Sequence, residues 1–157
     1  MSKTGTVWIL GGGLILLVGV FAFASLVSEK PKTTRELAVL CSPTMSEVFH
    51  IHPTLEIVIN GANVVVPANI GITPTCMTAL HTHTADGIIH VEAPEKRDFT
   101  IGDFFAVWDK LFTKEQIFEY KADASHRVTI QVNGTVVDTY EQTVLKDGDH
   151  ILITYGK

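Results

Sequence analysis

The sequence predicts an α+β fold, a mostly antiparallel β domain with one central helix, standing behind an apolar N-terminal segment. Three observations carry that prediction. Runs of alternating apolar residues are punctuated by Asn-Gly at 60–61, Asn-Gly at 133–134 and Asp-Gly at 147–148, the dipeptides of tight turns. One stretch from Thr100 repeats its apolar residues at helical spacing instead. Residues 7–27, VWILGGGLILLVGVFAFASLV, carry no charge and only Ser25 as a polar side chain.

As a helix, residues 7–27 match a hydrocarbon core of about 30 Å. The glycines at 11–13 do not oppose this, because glycine is common in membrane spans. Lys3 and the Ala22-Phe23-Ala24 triplet also fit a cleavable signal peptide, but the apolar run exceeds the usual signal core, and a retained single-pass anchor is the reading. Lys30, Lys32 and Arg35 after the stretch outnumber Lys3 before it, which favours an internal domain. The short N-terminus, the candidate cleavage site and the two cysteines favour an external one. The expectation is a cell-membrane protein with its domain outside the cytoplasm, laid out as tail 1–6, anchor 7–27, linker 28–46 and domain 47–157. With 12 Lys and Arg against 17 Asp and Glu, its net charge of −5 makes nucleic acid a poor partner.

Within the domain, residues 55–59 alternate and run into Asn60-Gly61 before Val64-Val65-Val66, a hairpin. Residues 80–83 and 88–92 read as two further strands around a turn at 84–87. The helix begins at Thr100, an N-cap with Asp103 three residues on, a variant capping box. Ile101, Phe104, Phe105, Trp108, Leu111 and Phe112 form its apolar stripe, so the helix is placed at about 101–112. Val128, Ile130 and Val132 alternate up to Asn133-Gly134, and Ile151, Ile153 and Tyr155 alternate after Asp147-Gly148. IVINGANVV at 57–65 and IQVNGTVV at 130–137 look alike; two independent Asn-Gly turns explain that as well as a duplication. VLKDGDHILITYG at the C-terminus resembles the last strands of β-grasp domains, without their terminal Gly-Gly.

Five of the seven histidines fall between 50 and 90, as His50-Ile51-His52, His81-Thr82-His83 and His90-Val91-Glu92. On extended backbone, alternate side chains share a face, so each pair presents both groups on one side. Two H-x-H strands side by side would make a four-nitrogen site from His50, His52, His81 and His83, with His90 as a fifth ligand or an outer donor and Glu92 orienting a ring or a water. Imidazole suits copper, zinc and similar ions, and the pattern does not choose between copper and zinc. Cys41 and Cys76 are the only cysteines. In an exported domain the pair reads first as a disulfide, with Cys76 as a soft metal ligand the competing reading.

The stretch from HIHP at 50–53 through CMTALHTH at 76–83, GIIHVE at 87–92 and FTIGDFFAVW at 99–108 resembles a little-characterised family of exported or membrane-anchored archaeal and bacterial domains. The resemblance implies no reaction. That family often places an acidic residue after H-T-H, where this chain has Thr84 and, nearby, Asp86. Three function classes follow from these readings. The favoured one is a membrane-anchored metal-binding protein for delivery, sensing or structural use. A small zinc or copper enzyme would need an open coordination position and a base such as Glu92, and no H-E-x-x-H, nucleophile elbow or phosphate loop accompanies it. A membrane-tethered interaction module with structural histidines is the third, its partner a membrane protein.

Overall fold

The computed structural model describes residues 32–44 and 48–157. The apolar stretch at 7–27, and with it the anchor reading, lies outside them. Among the described residues no helix is long and apolar enough to cross a membrane.

Residues 32–157 form one compact unit. It is an α+β structure in which short helices accompany three β-sheets. In chain order the elements are α1 (Thr34–Val39), β1 (Phe49–Ile51), β2 (Thr54–Ile59), β3 (Ala62–Val64), β4 (Leu80–His81), β5 (His90–Ala93) and α2 (Ile101–Val107). There follow β6 (Phe112–Thr113), β7 (Gln116–Ile117), β8 (Tyr120–Lys121), β9 (Arg127–Val132), β10 (Thr135–Val137), a 3₁₀ turn (Tyr140–Gln142) and β11 (His150–Gly156).

The largest sheet has the order β10-β9-β11-β2-β3, parallel between β11 and β2 and antiparallel elsewhere. Its alternating residues share one buried face: Leu55, Ile57 and Ile59 from β2, Val128 and Ile130 from β9, Ile151, Ile153 and Tyr155 from β11. They join Ile101, Phe104 and Phe105 of α2 in a single apolar core. Both Asn-Gly pairs make their turns with left-handed backbone at each residue, Asn60 and Gly61 at φ 51 and 82, Asn133 and Gly134 at φ 52 and 78. That geometry matches the twist of the flanking strands. The two look-alike hairpins occupy opposite edges of the sheet.

Helix α2 is shorter than its stripe suggests. Thr100 and Asp103 cap it reciprocally, but it ends at Val107, and Asp109 turns left-handed at φ 56. Leu111 is exposed, and Phe112 reaches the core from β6 rather than from a helix. The spacing of Trp108, Leu111 and Phe112 is therefore met by a turn and a strand. The segment read as linker also holds structure. Thr33 and Glu36 form a second capping box for α1, which buries Leu37 and Ala38. Arg35 Nε lies 2.8 Å from Asp103 Oδ1, and its Nη1 donates to the Gly102 carbonyl at 2.7 Å. The folded unit thus begins before residue 47.

A second, three-stranded sheet, β1-β5-β4, carries the histidines. Its strands come from either side of the β2–β3 hairpin, and the connection from β4 to β5 is clamped onto β2. Leu55 N–H donates to the Gly87 carbonyl and Ile89 N–H to that of Pro53, at 2.8 and 2.9 Å. Gly87 is required there: its φ is +81, and a Cβ would lie 2.4 Å from the Leu55 carbonyl oxygen.

Candidate metal centre

Register decides the geometry. On β5, His90 and Glu92 are two apart and share a face; His81 of β4 stands opposite His90, and His50 of β1 stands opposite Glu92. His52 and His83 follow their partners by two residues on the same side of the chain. The two H-x-H strands, expected side by side from the sequence, are separated in the structure by the H-x-E strand, which lies between them. The four H-x-H imidazoles accordingly do not form one donor set. The donors gather as two overlapping sets, His81, His83, His90 and Glu92 in one and His50, His52 and His90 in the other, with the donor atoms of each set within 4.8 Å of one another.

The first set is the more buried. His81 is fully enclosed, Glu92 is buried, His90 is partly buried, and His83 is exposed. His81 Nδ1 lies 3.1 Å from the Thr78 carbonyl oxygen, which can only accept, so Nδ1 carries the proton and Nε2 the lone pair. That Nε2 is 3.2 Å from His83 Nε2. Two ligands on one ion with bonds of about 2.1 Å are about 3.0 Å apart at a right angle and about 3.4 Å at the tetrahedral angle. The two nitrogens are already at that spacing. Glu92 Oε1 lies 3.9 Å from His81 Nε2 and 3.8 Å from His90 Nδ1. Among the described residues, His90 Nδ1 is the one buried side-chain nitrogen or oxygen with no hydrogen-bond partner. A polar atom left so is costly unless something coordinates it.

Electrostatics holds these rings neutral. Burial pushes His81 down to about 4, opposed by its bond to Thr78 and assisted by the neighbouring His83, His90 and His50. His90 is lowered too, first by burial and then by His83 and His52. Neutral imidazole is the form that binds a metal, so neither ring has to give up a cationic proton at neutral pH.

The second set lies at the surface. His50 Nε2 is 3.1 Å from Glu92 Oε1, which links the two sets, and the His50 and His52 rings stand 4.4 Å apart between centroids. His52 is held through its backbone, whose N–H donates to Asp147 Oδ1 at 2.8 Å.

The residues between the histidines matter as much. Thr82 points away from the site, and its Oγ1 donates to the Pro67 carbonyl and accepts from Ile70 N–H, at 2.8 and 3.0 Å. It pins the H-T-H strand with both imidazoles facing the cluster. Thr78, Thr82 and Asp147 were not singled out in the sequence, because two of them act through backbone or the far face. Asp86, the acidic residue nearest to H-T-H, is not among the donors; it accepts from Thr84 Oγ1 at 2.7 Å and from Ile88 N–H at 3.1 Å, closing its own turn. Cys41 and Cys76 are joined in a disulfide, with 5.4 Å between their Cα atoms, so Cys76 is no thiolate ligand.

No family model matches the chain, and comparison with curated proteins and with solved structures gives no match.

Proposed function

We propose that this chain is a membrane-tethered, extracytoplasmic metal-binding protein that holds a copper or zinc ion between His81, His83, His90 and Glu92. The observation that carries the reading is the pair of ring nitrogens at ligand spacing, His81 Nε2 with its lone pair fixed by Thr78 and His83 Nε2 opposite it, beside a buried and otherwise unpartnered His90 Nδ1. A carbonyl behind a ligating imidazole is the usual outer partner of a metal site. Three imidazoles and one carboxylate suit zinc and Cu(II) alike. Because His83 is exposed, the ion would keep one side towards solvent, which favours uptake and release over a sealed structural role.

The setting is argued from the rest of the chain. A disulfide belongs to an oxidising compartment, and residues 7–27 have the length and apolarity of an anchor. The order β3-β2-β11-β9-β10 with its parallel central pair supports a β-grasp-like scaffold. The motif resemblance to exported and membrane-anchored archaeal and bacterial domains points the same way.

The test is elemental analysis and titration with zinc and Cu(II) of the full chain, purified in detergent without an affinity tag. His81→Ala/His83→Ala is expected to abolish tight binding, and the single, exposed His83→Ala to weaken it while the circular dichroism of the fold is unchanged. A wild-type chain that binds neither ion at micromolar concentration would leave the histidines a structural role and favour the interaction-module reading.

A further inference from the structure

We infer that the chain holds a second metal ion, on His50, His52 and His90, and that His90 bridges it to the first. This rests on the reading of the buried set as an ion site. Three features of the sheet carry it beyond that reading. The six donors do not converge on one point: they fall into two sets, and His90 alone belongs to both. Ligands on opposite sides of one ion are only about 4.2 Å apart with bonds of about 2.1 Å, so a single ion cannot take both sets as they stand.

The second set also repeats the construction of the first. His50 Nε2 faces the Glu92 carboxylate at 3.1 Å, as His81 Nδ1 faces the Thr78 carbonyl. In the neutral ring each contact places the proton on the nitrogen that faces the acceptor and leaves the other nitrogen free to ligate, the arrangement that orients a metal-binding imidazole. Asp147, in the turn before β11, accepts from the backbone of His52 and anchors that residue as Pro67 and Ile70 anchor Thr82 of the H-T-H strand.

Position supplies the third feature. His90 stands on the central strand between β1 and β4, with His52 and His83 rings edge-on to it at 4.7 and 4.6 Å between centroids. An imidazole has two ring nitrogens that diverge, and one ring can bind a metal through each of them. When it does, its remaining N–H proton is released to solvent and the ring becomes an imidazolate shared by two cations. The charge fits: Glu92 and the imidazolate offset part of the two cations' charge, in a chain that is net acidic. The second ion would be exposed and held without a carboxylate of its own, so it binds more weakly than the first and faces incoming metal.

The experiment is stoichiometry with the full chain in detergent, using zinc by calorimetry and Cu(II) by electron paramagnetic resonance. Wild type is expected to take up two ions and His50→Ala/His52→Ala, both exposed positions, only one; His52→Ala, which leaves His50 on the Glu92 carboxylate, should weaken the second step alone and keep the affinity of the tighter one. His126→Ala/His150→Ala, which lie outside the cluster, should still take up two. With Cu(II) loaded at both sites, coupling through the imidazolate should reduce the integrated spin signal well below two per chain. A wild type that binds one ion, or a second ion that survives His50→Ala/His52→Ala, overturns the second site and leaves the first intact. Full spin intensity from two bound Cu(II) ions overturns the bridge. Binding of no ion at all overturns the reading of the buried set itself.

Discussion

His81 is an imidazole kept neutral by burial and aimed by one carbonyl, and its titration couples the site to folding. In the unfolded chain it takes up a proton near 6.5, whereas in the folded chain it does so only at about 4. A depressed folded-state value means that the unfolded state binds more protons between those limits. Stability of the metal-free protein is therefore complete above pH 6.5 and falls as the pH drops towards 4, by on the order of 3 kcal/mol from this residue. Denaturant unfolding in the presence of a chelator should show that decline. His81→Leu, of similar bulk and without a charge to acquire, should make the slope shallower, the remainder coming from His90, whose value is lowered as well. An unchanged slope in His81→Leu would place the titrating groups elsewhere.

Among the elements, α2 separates what spacing can reveal from what it cannot. Phe104 is fully buried in the core and makes ring contacts with Phe105 and Trp108; Trp108 is half-buried against Phe118; Leu111 is exposed. Truncation costs should follow that order. Phe104→Ala should cost about 3–5 kcal/mol through lost transfer energy and the cavity left behind. Trp108→Ala should cost less, and Leu111→Ala should stay within about 0.5 kcal/mol, as surface changes do. Equal costs at Phe104 and Leu111, measured by thermal or denaturant melting, would mean that the helix runs on to 112. The start of α2 was legible because Thr100 and Asp103 form a cap in the sequence itself; its end was not, since Asp109 leaves the helix without a glycine or proline to mark the place. Helix α1 carries the same kind of cap at Thr33 and Glu36, but at six residues it shows too little periodicity to be read apart from a linker. The hairpins were legible wherever Asn-Gly closes two strands. The alternation that puts both histidines of a pair on one face was legible too, and so was the β4–β5 neighbourhood across its short turn; the place of β1 on the other side of β5 was not, because it is settled by pairing between strands far apart in sequence.

For the molecule as a whole, the disulfide joins the segment that follows α1 to the histidine cluster. Cys41 follows α1, and Cys76 lies two residues before Thr78, whose carbonyl fixes His81. Between them the chain also pairs through its backbone, Ser42 N–H to the Met77 carbonyl at 2.9 Å and Met77 N–H to that of Ser42 at 3.0 Å. Reducing the bond releases a loop spanning 35 residues. The loop-closure entropy regained by the unfolded chain corresponds to about 3–4 kcal/mol. Cys41→Ser/Cys76→Ser should therefore melt about 10 °C or more below the wild type. It should also bind zinc or Cu(II) more weakly at the buried set, because the turn that presents the Thr78 carbonyl loses its covalent anchor. The two effects can be told apart by measuring affinity well below the melting temperature, where the variant is still folded. A variant that is less stable yet binds metal as tightly as the wild type would confine the disulfide to stability. One that loses affinity while His52→Ala retains the tight step would make the link from α1 to β4 part of the proposed metal site.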